Sequence, residues 1–176
     1  MDGFLTKTDT YTTCYDAFKW QIPKYFNIAT AICDRHALSH PNRRAVIYEA
    51  VDGVIKDITF SQLRGYANQL ANVLIILNVQ PRECIGIHLP QSLECAISHV
   101  GVYKTGAIAL PLFSLFGPDA LGHRMKDSAA RVLITCSENL PHLLEVRDTL
   151  KLLKHVIVID DSGDGLIDWR NALPAA

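Results

Sequence analysis

The sequence predicts a three-layer α/β fold on a mainly parallel sheet, preceded by an amino-terminal β-hairpin. Three observations carry that reading. Four short apolar runs rich in β-branched residues start near Cys84 (CIGIHL), Ala107 (AIALPL), Arg131 (RVLIT) and His155 (HVIVID), at intervals of about 23 or 24 residues. The segments between them have helical composition, so strand and helix alternate as βαβ crossovers require. Two β-rich runs flank Asp52-Gly53 within AVIYEAVDGVIKDITF, a strong short-range hairpin signal when both turn positions take φ > 0. A chain of 176 residues, 49% of them apolar, is long enough to bury a core of this kind.

In chain order, residues 1–27 lack a clear period and carry Tyr11, Tyr15, Phe18, Trp20, Tyr25 and Phe26. They are expected to form an irregular arm or short helix lying on the body, with residues 28–176 as the α/β unit. A helical pattern runs from Ile28 to Leu38 and stops at His40-Pro41, because proline bars the residue before it from the helical region. After the hairpin a helix is expected with Ser61 near its N-cap, burying Leu63, Ala67, Leu70, Leu74 and Leu77 along one face. Asn78 can hold the left-handed position that ends it. Later helices open at Ser92, at Gly117 with Pro118 in the first helical position, and at Ser137 with Pro141 in the opening turn. The cadence is architectural, with no residue-level repeat, so a solenoid is not expected.

Composition narrows the function classes. Lys and Arg total 17 against 18 Asp and Glu, a net charge of -1. A dedicated nucleic-acid binder would show a basic footprint that this chain lacks. No apolar stretch approaches the roughly 18 residues of a membrane span, and the opening MDGFLTKTDTYTTC has no secretory pattern. Five cysteines with no CxxC pair read as reduced, mostly buried thiols, and the cytoplasm is the expected compartment.

Several motifs point to chemistry that their spacing does not support. No GxGxxG follows a strand, and no GxSxG elbow is present. Gly101-Val-Tyr-Lys-Thr-Gly106 has the glycine spacing of a phosphate loop. Its Lys and Thr precede the second glycine, however, whereas phosphate binding needs them after it; a helix end at Gly106 is the expected reading. Cys33, His36 and His40 could share a helical face as zinc ligands, but no fourth ligand lies nearby. Cys95 and His99 are treated alike. Asp160–Gly165 has oxygen ligands at alternate positions, yet Asn171 stands where a calcium loop places a bidentate Glu; an acidic turn is expected. No metal site is therefore assigned.

One stretch is specific. Lys104–Thr135, KTGAIALPLFSLFGPDALGHRMKDSAARVLIT, closely resembles the early segment of adenylate-forming acyl-CoA synthetases, in which "AGA-x-x-x-P" leads through "LFGP-x-AL" to "R-x-x-DS-x-A-x-x-(L/V)IT". ITFSQLRGYANQLANVL resembles the family's "TY-x-x-L…A-x-x-LA-x-x-L", and IGIHLPQSLE resembles "V-A-I-x-LPQ-x-x-E". The likeness runs co-linearly from about Ala29 to Trp169. Departures are mild: Asn78-Val-Gln-Pro-Arg-Glu83 replaces the usual glycine and "G-D", and Thr105 replaces an alanine.

The resemblance implies a ligase that converts a carboxylate and ATP to an acyl-adenylate and then a CoA thioester, with a place in fatty-acid metabolism. ATP, Mg and CoA are the implied cofactors of the parent, and none is expected for this chain alone. The family's Ser/Thr/Gly-rich phosphate loop follows soon after the position of Trp169, whereas this sequence closes at LPAA. The adenine-, ribose- and lysine-bearing segments are likewise not among these residues, so no catalytic residue is assigned. The chain is expected to be an amino-terminal or truncated portion, inactive alone, partnered by the remainder of the synthetase or by its own copies. By resemblance Phe113, Ser114, Leu115, Phe116 and Gly117 lie near the channel for the pantetheine of CoA. A strand-to-helix turn capped by Gly117 is the other reading of this loop, and Arg124 and Asp127 are expected to be surface or packing groups. A stand-alone module binding CoA, an acyl chain or a partner without chemistry is the alternative function.

Overall fold

The computed structural model describes residues 8, 10–20, 22–161 and 163–176. In chain order they form α1 (Tyr11–Ala17), α2 (Arg35–Ser39), the antiparallel hairpin β1 (Arg44–Glu49) and β2 (Ile55–Thr59), then α3 (Phe60–Ile76). The repeating part follows as β3 (Cys84–His88), α4 (Leu93–Lys104), β4 (Ile108–Pro111), α5 (Pro118–Asp127), β5 (Val132–Thr135), α6 (Leu140–Val146), β6 (His155–Val158), β7 (Ile167–Asp168) and α7 (Trp169–Ala175). The expected strand and helix succession is present throughout, and the class is the α/β arrangement read from the sequence.

Strands β3 to β7 form one parallel sheet in the order β4-β3-β5-β6-β7. Period-two alternation sorts its side chains onto two faces. Ile85, Ile87, Val132, Ile134 and Ile157 pack with Leu70, Leu74, Ile97, Val100 and Trp169, under α3, α4 and α7. Leu133, Val156 and Val158 pack with Leu121, Met125 and Leu143, under α5 and α6. Both faces are covered, which is why these strands read as unbroken apolar runs.

Local signals explain most boundaries. Asn78 takes φ 59, with its N–H on the Ile75 carbonyl at 2.9 Å and the Val79 N–H on the Leu74 carbonyl at 3.0 Å, so it closes α3 without glycine. Ser92 Oγ accepts the Cys95 N–H at 3.1 Å and caps α4. Gly106, at φ 74, follows the last turn of that helix in the left-handed position.

Other details correct the sequence reading. The N-cap of α3 is Thr59 rather than Ser61: its Oγ1 accepts the Gln62 N–H at 3.2 Å while Gln62 Oε1 accepts the Thr59 N–H at 2.9 Å. That reciprocal pair satisfies two orphan donors and draws the helix start upstream. In the hairpin only Gly53, not Asp52, has positive φ. The Gly53 N–H bonds the Ala50 carbonyl at 2.9 Å and the Ala50 N–H bonds the Val54 carbonyl at 2.9 Å, a three-residue loop ending in a left-handed glycine. The helical run before Pro41 contains a wide π-helical turn at Thr30–Asp34. Ser137 opens a 3₁₀ turn, Ser137–Asn139, before α6. The arm contains the short helix α1, none of whose residues is buried, and Tyr11 stacks on Tyr15 with centroids 6.0 Å apart. Residues 1–7, 9 and 21 of that arm lie outside the described residues.

Candidate functional site

Sheet topology places the site. The chain leaves β3 toward β4 through α4 on one face, then returns past β3 to β5 through α5 on the other. Strand order reverses between β3 and β5, and in open α/β sheets ligands bind at the carboxyl ends of strands beside such a reversal. Here those ends carry His88 and Thr135, with the loop after β4 alongside.

That loop is Phe113–Gly117. The Leu112 N–H bonds the Ile87 carbonyl at 2.9 Å, which holds the base of the loop to β3. The Phe116 N–H bonds the Phe113 carbonyl at 2.9 Å and tightens the turn. Phe113 and Leu115 are exposed, at 62% and 78%, while Ser114, Phe116 and Gly117 are half-buried. Phe116 meets Phe113 edge-on at 5.9 Å and carries the Arg124 guanidinium 4.2 Å from its ring centroid. Arg124 is thus a packing group against the loop, as expected of it. Gly117 is the N-cap of α5 at φ -69, and a Cβ there would meet nothing within 4 Å. Space, rather than backbone strain, is what its missing side chain leaves beside the loop.

Beneath the loop lies a polar cluster that the sequence reading missed. His88 ends β3 with no exposed surface, and neither ring nitrogen has a hydrogen-bond partner among the described residues. Its carbonyl accepts Thr135 Oγ1 at 3.1 Å and Asn139 Nδ2 at 3.0 Å, so two further buried polar side chains converge on it. The Nδ1 of His142, on α6, is also buried without a partner. Burial pushes the His88 imidazole below the usual histidine range and His142 adds to this, while the backbone of Phe113 and Ser114 opposes it. The signal in the sequence was the single polar residue inside CIGIHL.

Burial also lowers the His99 pKa. In the unfolded chain a histidine protonates near pH 6.5, whereas in the fold His88 and His99 hold off the proton to lower pH. Their contribution to stability is full above about pH 6.5 and is lost as pH falls toward the folded-state values. Denaturant unfolding should therefore show a lower midpoint at pH 5.5 than at pH 7.5, with a smaller difference in His99→Gln. An equal midpoint at both pH values would contradict this.

The rejected motifs have other employment. Lys104 lies inside α4 and pairs with Asp34, so the segment up to Gly106 is a helix end. Cys33 is buried, His36 stacks on Phe60 at 4.8 Å, and His40 Nδ1 meets Ser39 Oγ at 2.9 Å. Cys95 is buried, and the His99 Nδ1 lies 3.3 Å from the Tyr103 hydroxyl. Asp160 accepts both the Ser137 N–H at 2.7 Å and its hydroxyl at 2.9 Å, tying β6 to the turn before α6. Ser162 of the acidic turn lies outside the described residues. Among the described residues no group of three His, Cys, Asp or Glu could hold a metal ion, and no helix is long and apolar enough to cross a membrane. A cavity of about 220 Å³ lined by Met125, Ala130, Leu150 and Leu153 lies by segments that precede β5 and β6, away from the candidate loop.

Comparison with known proteins agrees with this architecture. A model of the AMP-binding enzyme family, described as AMP-binding enzyme, matches residues 33–172. Acetyl-coenzyme A synthetase of Escherichia coli O6:H1 is 30% identical over 166 residues, covering 88% of this chain and 25% of that protein. Its counterpart in Chromobacterium violaceum is 29% identical over 165 residues, with the same shares. The chain thus spans about a quarter of the length of these curated relatives. Among solved structures, an acyl-CoA synthetase of Brucella canis superposes with a TM-score of 0.85 at 26% identity, over 96% of this chain and 32% of that one. An anthranilate CoA ligase in complex with anthranoyl-AMP gives 0.76 at 31% identity, over 88% and 29%.

Proposed function

The chain belongs to the AMP-binding enzyme family, and on that premise we propose that it is the amino-terminal α/β portion of an ATP-dependent acyl-CoA synthetase. The reaction proposed for the whole protein joins a carboxylate oxygen to the α-phosphorus of ATP with loss of pyrophosphate, then the CoA sulfur to the acyl carbon with loss of AMP. The observation that carries this reading is the co-linear match to acetyl-CoA synthetases across 88% of the chain.

Within that reaction the chain supplies scaffold and one wall of the CoA site. The loop Phe113–Gly117 stands at the strand edge where ligands of such sheets bind. Its small and apolar side chains suit a thin, uncharged arm such as pantetheine, and Gly117 leaves room beside it. Adenylation needs cations and backbone donors arranged around the α-phosphate. No such constellation is among the described residues, and those groups, with the Mg and ATP they hold, belong to other parts of the synthetase. The chain alone is therefore proposed to be without ligase activity, and the compartment proposed for it is the cytoplasm. The acyl group is not specified by these residues; the named relatives make acetate the first carboxylate to try.

The test is calorimetric titration of CoA into the chain and into Ser114→Trp, in which an indole fills the space beside the loop. A loss of about tenfold or more in affinity, the scale of one blocked contact region (about 1.4 kcal/mol), supports the assignment. Equal CoA affinity in both proteins, or none in either, contradicts it.

A further inference from the structure

Resting on the synthetase reading above, we propose that the arm at residues 10–28 is a docking strip for the remainder of the synthetase polypeptide, which covers its exposed aromatic side chains. The strip has local order, since Thr10 Oγ1 accepts the Thr13 N–H at 3.2 Å and caps α1. Yet no described residue from Thr10 to Ile28 is buried. Tyr11, Tyr15, Trp20, Ile22, Tyr25 and Phe26 are each at least 64% exposed. Some of the ring contacts are internal to the strip: Tyr11 stacks on Tyr15, and Phe18 meets Trp20 edge-on at 5.0 Å. At roughly 150–250 Å² per aromatic side chain, the five exposed aromatics hold on the order of 700 Å² out of contact. The largest apolar patch of a monomer is typically about 300–600 Å², and one side of a stable interface is about 800 Å². The strip therefore has the area of an interface face.

Its path and its charge favour one occupant. The strip is tied to the body at Asn27, whose Nδ2 donates to the Tyr103 carbonyl at 2.9 Å and whose carbonyl accepts the Ala31 N–H at 3.2 Å. One tied end does not hold a whole strip in place, because segments with few buried contacts open readily. Nevertheless the Brucella canis synthetase superposes on 96% of the 176 residues, which leaves about seven outside, so most of the strip takes the same path there. The match covers 32% of that protein, so it brings about twice as much further polypeptide to lie over the strip. A lipid surface fits less well. Lys19 and Lys24 stand against Asp16, whereas lipid-binding segments gather about four to eight basic residues.

The test is hydroxyl-radical footprinting of the native polypeptide that carries this sequence, diluted until monomeric and read by mass spectrometry at the five exposed aromatics. A synthetic peptide of residues 8–28 is the unprotected reference. Contacts already described leave each side chain at least 64% exposed and account for less than about twofold protection. Docking should give about fivefold or more, because the core of an interface excludes water. Trypsin should also cut after Lys19 and Lys24 about tenfold more slowly than in the peptide, and Trp20→Ser/Tyr25→Ser should restore most of that rate. Footprinting of the unaltered polypeptide decides the matter even where that double variant fails to fold. Labelling within about twofold of the peptide overturns the docking strip. Protection that appears only when two copies associate, or only on vesicles of phosphatidylcholine and phosphatidylserine, overturns it as well. Protection in a monomer that releases no pyrophosphate supports docking and removes the ligase reading. Full labelling in a polypeptide that does release pyrophosphate keeps the ligase and removes docking.

Discussion

Gly101→Val lowers the unfolding free energy by about 2–3 kcal/mol, the cost of forcing added carbon into a closed helix contact. A Cβ at Gly101 would stand 2.7 Å from Leu70 Cδ2 and 3.0 Å from both its Cβ and Cγ. The Leu70 Cβ is fixed to the α3 backbone and cannot rotate away, so α3 and α4 must separate. Gly101→Ala is milder, because alanine recovers about 1 kcal/mol of helix propensity. Leu70→Ala alone opens a cavity in a fully buried site, at about 3 kcal/mol. The double variant Leu70→Ala/Gly101→Ala should then lose less than the sum of its singles, because each change relieves the other. Urea unfolding of the four proteins checks this; strict additivity would contradict the close approach of α3 and α4.

Gly86→Val carries a comparable penalty, about 2–3 kcal/mol, on the other face of the sheet. There a Cβ would lie 2.7 Å from Leu133 Cδ1, 2.9 Å from Met125 Sδ and 3.2 Å from Leu112 Cδ1. Single side-chain ends could yield, but Leu133, Met125 and Leu112 are all buried and close the space from three elements. Gly86 precedes His88 by two positions on the same face of β3. Thermal unfolding should show the loss in Gly86→Val and a smaller one in Gly86→Ala. Unchanged stability in the valine variant would mean that α5 stands further from the sheet than described.

The layered fold was legible because its determinants are local. A strand buried on both faces must be apolar throughout, so CIGIHL and RVLIT stood out, and Ser92, Pro118 and Asn78 marked helix ends by their own chemistry. What escaped depended on distant partners. β7 has two residues and exists by pairing Ile167 with Ile157 and Asp168 with Val158. α7 forms where Asp168 accepts the Arg170 N–H at 2.9 Å and Trp169 enters the core, in a segment with no clear period. Thr59 displaced Ser61 as cap because Gln62 answers it from the first turn. The loop after β4 could be placed from strand spacing alone. The ring pair below it could not, since His88 and His142 belong to different βαβ units that only the sheet order brings together.

Pyrophosphate release tests most directly the proposal that these residues are part of a carboxylate-activating ligase. The native polypeptide carrying this sequence, captured by antibody from its source cells, is supplied with ATP, Mg, acetate or a longer carboxylate, and CoA. The expected result is pyrophosphate that depends on the carboxylate, followed by a thioester that depends on CoA. A native polypeptide that binds CoA yet releases no pyrophosphate with any carboxylate would contradict it, and would make this fold a binding module instead.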